Sequence, residues 1–247
     1  MTSRRRRMTA HMSPHSAARR PRQARADFRA GARRAALRLV FLVVTAAPAV
    51  HAQQALIAPL EADGPVTYHI AEGAPGSMYR ESDRELARWA LEAWRKAAGG
   101  AIELAEAPED EALVRIYFVP ASAGQYGEMR PILVNGRRGA EVYVRPDVRA
   151  LGPDIAAAAL ADPLLRDSIV YLTCVHELGH AFGLEHTADY ADIMYFFGYG
   201  GDVLEFFRRY REQLGSRGDI ANVSGLSAGD AARIEALYVP DDGAKSR

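Results

Sequence analysis

The stretch His176-Glu177-Leu178-Gly179-His180-Ala181-Phe182-Gly183-Leu184-Glu185-His186 constrains this chain more than any other. His176 and His180 are four residues apart, so on a helix they project from one face, one turn above the other. Gly183 falls where such a helix must stop, because glycine accepts the left-handed backbone that turns a chain sharply. Three residues later, His186 can swing back toward the point the first two histidines face. A methionine follows downstream, in Asp192-Ile193-Met194-Tyr195.

The donor set points to zinc. Three imidazole nitrogens, from His176, His180 and His186, leave the fourth tetrahedral position to water, the arrangement of a catalytic site rather than a structural one. Glu177 adjoins the first ligand and is placed to take a proton from that water as general base, while zinc polarises a scissile carbonyl. The pattern H-E-x-x-H-x-x-G-x-x-H with a methionine beyond it is that of a zinc endopeptidase. Two other metal donors come into consideration. Cys174 lies two residues before His176, on another helix face, and reads as a buried free thiol. Glu205 would be the third ligand in peptidase classes that use a later glutamate, but His186 makes it unnecessary. His69 reads as a partly exposed strand histidine.

The chain has 247 residues and a formal net charge of zero. That balance hides an asymmetry. Residues 1–52 hold twelve of the 31 basic residues, all arginine, and the single acid Asp27, which leaves a net charge of about −11 on the rest. A nucleic-acid partner for the folded part is therefore not expected. The arginine-rich start, the apolar run Leu39 to Val44 and the ending Val50-His51-Ala52 describe a secretory signal peptide, with mature residues from Gln53. The run is short of the roughly 20 apolar residues of a membrane helix, so export without stable membrane insertion is expected. With one cysteine, no intrachain disulfide can form.

Residues 53–65 form a lead-in segment, residues 66–240 a single catalytic domain and residues 241–247 a tail. Val66 to Ile70 alternates as a strand. Ser82-Asp83-Arg84-Glu85 reads as a capping box. It opens a helix on which Leu86, Trp89, Ala90, Ala93, Trp94 and Ala97 recur, and Gly99-Gly100 stops it. Strands follow at 102–104 and 113–119. A glycine-rich loop spans Gly124 to Gly127. A hairpin then joins Pro131–Val134 to Ala140–Val144 through Asn135-Gly136. Alanines 156–159 suggest a short helix, and Asp162-Pro163 starts the histidine-bearing one. Between Phe196 and Gly225, Val203, Leu204, Phe206, Phe207, Tyr210 and Leu214 have helical spacing, first of all a sign of core packing.

The histidine motif and its methionine resemble the metzincin clan of zinc peptidases, and within it the matrixins. Thr187 resembles the serine or threonine that follows the third histidine in matrixins, and Asp192-Ile193-Met194-Tyr195 is similar to their Met-turn. Leu226-Ser227-Ala228-Gly229-Asp230 and Ile234 to Tyr238 are similar to the closing helix. The resemblance implies an α+β, metzincin-like zincin domain. Its parts would be a twisted five-stranded mixed sheet with an antiparallel edge strand, an active-site helix, a Met-turn with Met194 beneath the zinc, and a C-terminal helix. It implies hydrolysis of peptide or protein substrates that pair with the strand at 131–134, and one catalytic Zn2+. Phe196 stands where matrixins have proline. The loop that binds structural zinc and Ca2+ in vertebrate matrixins has no counterpart between Val119 and Val144, so the resemblance implies one zinc and leaves structural Ca2+ doubtful. A secreted zinc-binding or interaction module on the same scaffold is the competing expectation.

Overall fold

A computed structural model describes residues 57–239. The expected leader, its cleavage point after Ala52 and the 241–247 tail lie outside the described residues. Among those described, no helix is long and apolar enough to cross a membrane.

The architecture is α+β. Five strands, β1 (Val66–Ile70), β2 (Leu104–Glu106), β3 (Val114–Phe118), β4 (Gly127–Val134) and β5 (Arg137–Val144), form one sheet in the order β2-β1-β3-β5-β4. All neighbours are parallel except β4 and β5, so β4 is the antiparallel edge strand. The expected mixed sheet is present. Among the described residues the α-helices are α1 (Asp83–Ala97), α2 (Pro153–Ala161), α3 (Pro163–Ala181), α4 (Val203–Arg211) and α5 (Ala228–Tyr238).

Alternation along the strands sends Val66, Ile70, Ile116, Phe118, Val142 and Val144 into the core, against Leu86, Ala90 and Trp94 of α1 and Ile169, Val170 and Leu178 of α3. Helix α3 lies across β4 and β5 and against α1, so the histidine motif sits beside the edge of the sheet. The β4–β5 hairpin turns on Asn135 and Gly136, both at positive φ (52° and 82°), as a two-residue hairpin requires.

Three local expectations are corrected. Ser82 does not cap α1 with its side chain, because its own backbone is already helical (φ −65°, ψ −15°). Asp83 instead takes the Arg80 amide at 2.9 Å and pairs with the buried Arg166 of α3. The second strand starts at Leu104 rather than Ile102, because the turn after α1 holds the chain as far as Ala101, whose amide bonds to Ala98 O at 3.0 Å. The third correction concerns Gly127, which is the first residue of β4 and not the end of a loop.

Candidate metal centre

Helix α3 is set at both ends. Asp162 accepts from the amides of Leu164 and Leu165, with Pro163 in the first turn. At the other end Gly183, at φ +100°, donates to His180 O at 3.0 Å, and Leu184 donates to Gly179 O at 2.9 Å. This pair of bonds is a Schellman motif. A side chain at 183 would meet the backbone of Ala58 and Pro59, so glycine is needed there for space as well as for φ. The chain past Gly183 then carries His186 back over the helix. Thr187 and Phe196 close the following loop, through Thr187 N to Met194 O (2.8 Å) and Phe196 N to Thr187 O (3.1 Å).

His176, His180 and His186 form a cluster that can hold a metal ion, with ligand atoms all within 4.8 Å of one another. The Nε2 of His186 lies 3.3 Å from that of His176 and 3.1 Å from that of His180. Their tautomers follow from the partners. His176 Nδ1 meets Ile193 O at 2.7 Å and His180 Nδ1 meets Leu184 O at 2.8 Å. A carbonyl only accepts, so both Nδ1 atoms carry hydrogen and both Nε2 lone pairs face the centre. Tetrahedral zinc, with Zn–N of about 2.0–2.1 Å, needs nitrogen separations of about 3.3 Å. The donor set therefore fits zinc in chemistry, and the two separations from His186 match that spacing.

The rings are held neutral, as ligands must be. Desolvation, then the neighbouring imidazoles, lower His180 to about 3. Desolvation followed by His176 lowers His186 to about 4, and burial lowers His176 too.

Glu177 is buried beside the start of β4. A Cβ at Gly127 would overlap its Oε1, so the strand glycine is the space the carboxyl occupies. Burial pushes Glu177 up to about 8, with Glu128 adding to the rise and Arg145 opposing it. A carboxyl near neutrality can both accept and return a proton. Met194 is fully buried against Gly179, where any Cβ would overlap its sulfur.

Sequence reasoning missed several supports. Trp94 Nε1 donates to Val175 O at 2.8 Å, one residue before the first histidine. Asp230 accepts the Ile193 amide at 2.8 Å and also completes a capping box with Ser227. The S-x-x-D signal after the methionine was legible, but its reach to Ile193 was not. Other candidates fall outside the cluster. Glu205 is exposed on α4, Cys174 is a buried thiol that burial pushes up, and His69 lies half-buried on β1. Phe206, Phe207 and Tyr210 of α4 are core residues. Phe196 places its ring 4.9 Å from that of His186.

The fold and site thus define an α+β domain with a three-histidine centre able to hold a metal. No protein-family model matches the chain, and no curated protein matches it.

Proposed function

We propose that this chain is an exported metzincin-like zinc endopeptidase nearest the matrixins. The observation that carries the reading is the pairing on one helix of two tautomer-fixed histidines with a buried carboxyl between them in sequence, completed by His186. His176, His180 and His186 would hold the zinc. Bound there, zinc would supply Lewis acidity, polarising the scissile carbonyl and making water acidic.

The protein's own groups divide the remaining work. The Glu177 carboxylate takes a proton from the attacking water and passes it to the leaving amine nitrogen. The Ile193 and Leu184 carbonyls hold two imidazoles in register. The outer edge of β4 offers backbone groups to an extended substrate chain, the logic of strand addition. Leu133 on that strand is 77% exposed, consistent with a surface awaiting a partner.

The test is zinc content together with cleavage of an unfolded protein by wild type and by Glu177→Ala. Wild type should retain about one zinc and cleave, and a chelator should stop it. Glu177→Ala should keep the zinc and lose about 10²-fold or more in rate. Equal rates for the two proteins would sink the peptidase reading. Retained zinc with no cleavage would favour the interaction module.

A further inference from the structure

Arg145 is the side chain the reading above does not use. It follows β5 and is 1% exposed, yet Nε and both terminal nitrogens have no hydrogen-bond partner. A guanidinium presents five N–H donors, and burying them unmet is costly. The nearest carboxylate, Glu128, stands 3.9 Å away. It is already gripped by Arg130, through bonds of 2.8 and 3.1 Å.

Its place relates it to the site. The Arg145 amide donates to Tyr126 O at 3.1 Å, and the next residue, Gly127, is the one that makes room for Glu177. The guanidinium is near enough to Glu177 for each to act on the other's ionisation. Its cover is thin. Ser122, Ala123, Gly124 and Gln125 are all exposed, and Gly124 brings no side chain to the guanidinium, where a Cβ would lie 3.1 Å from a terminal nitrogen. A buried cation with free donors, near the Glu177 carboxyl and against Gly124 of an exposed loop, lacks only an acceptor.

We infer that Arg145 is a subsite for a substrate carboxylate, received as the 122–125 loop gives way. Arginine matches a carboxylate with two parallel N–H···O bonds, which lysine cannot reproduce. The carboxylate is either a peptide's C-terminus or an acidic side chain. The inference rests on the peptidase reading for its choice of ligand, but binding tests it without turnover.

Three probes separate the sources: Ac-Ala-Ala-Ala with a free C-terminus, Ac-Ala-Glu-Ala-amide, and neutral Ac-Ala-Gln-Ala-amide. Each is titrated calorimetrically into the wild type, Arg145→Lys and Arg145→Met, with and without zinc. One acidic probe should bind wild type at least about tenfold more tightly than the neutral one, in both metal states. Which of the two does so identifies the source. Arg145→Met should abolish the preference and Arg145→Lys should keep only part of it. Equal binding of all three probes to wild type overturns the inference, and that comparison needs no variant to fold. A preference that survives in Arg145→Met, or exists only with zinc, also overturns it. Carboxylate-selective binding without cleavage of any peptide would leave the subsite standing while the peptidase reading fell.

Discussion

His176 and Asp230 hold the two ends of one residue. The imidazole Nδ1 donates to Ile193 O at 2.7 Å, and the Ile193 amide donates to Asp230 Oδ2 at 2.8 Å. The cap of α5 thereby reaches a candidate metal ligand through a single residue. Groups that orient ligands are commonly worth 10–100-fold in metal affinity or activity. Asp230→Asn keeps the size of the side chain but weakens its grip on the Ile193 amide, Ser227 and Arg233. We expect its zinc affinity to fall by about tenfold, read by competition with a chromophoric chelator, with the far-ultraviolet spectrum unchanged.

Two glycines make opposite predictions. A methyl at Gly127 would collide with the flexible end of Glu177, whereas one at Gly179 would collide with the buried sulfur of Met194 and approach Trp94 within 3.0 Å. Gly127→Ala should displace the carboxyl, lowering kcat by about tenfold or more while zinc content and melting temperature hold. Gly179→Ala overpacks the core and should cost about 1–3 kcal/mol in stability. Urea melts and steady-state rates on both variants check the contrast, which reverses if the two collisions are misassigned.

Asp192 ties the methionine-bearing loop to α5. Its carboxylate accepts from the Ser227 hydroxyl and, at 2.9 Å, from Arg233. Burial acts to raise its pKa, but Ser227, then Thr187 and Arg233, outweigh burial and hold it below the usual carboxylate range. The folded state therefore binds this proton less readily than the unfolded one. The stabilisation is complete above the unfolded pKa of about 3.9 and is lost as pH falls through the lower folded value. Asp192→Asn should be less stable than wild type at pH 6. The gap should narrow below about pH 4, measured as urea midpoints across that range. A gap constant with pH would remove Asp192 from the acid response.

What the sequence made legible was local and periodic. The four-residue spacing of His176 and His180, the glycine stop at 183 and the Asn135-Gly136 turn are each decided by neighbours along the chain, and each appears where expected. The coarse sheet was legible for the same reason, from alternation at 66–70 and 113–119. Gly127 was misread because glycine usually marks a loop. Here it marks close approach by Glu177, a residue fifty positions away. Ser82 was misread as the cap because the residue that organises that end, Asp83, has its partner, Arg166, on another helix. Arg145 drew no notice, since nothing in its neighbours along the chain reveals that Gly124 comes to lie against it.

Trp94 illustrates such a distant contact and can be tested alone. It is fully buried on α1, and its indole donates to Val175 O within the histidine-bearing helix at 2.8 Å. Helical spacing predicts its burial but says nothing of the bond. Trp94→Phe keeps much of the apolar bulk and removes the donor. Loss of a buried hydrogen bond costs about 0.5–1.5 kcal/mol, and the smaller ring leaves a cavity beside Gly179 that adds to it. We therefore expect a loss of about 2 kcal/mol in urea unfolding. Trp94→Leu, which lacks the donor and is smaller still, should lose more. If both variants matched wild type, the indole contact would have no part in fixing α3 against α1. Zinc affinity gives a second readout. The bond falls one residue before His176, so loosening it should weaken metal binding by more than a comparable deletion at Ile102, a buried core residue just ahead of β2 and far from the histidines in sequence.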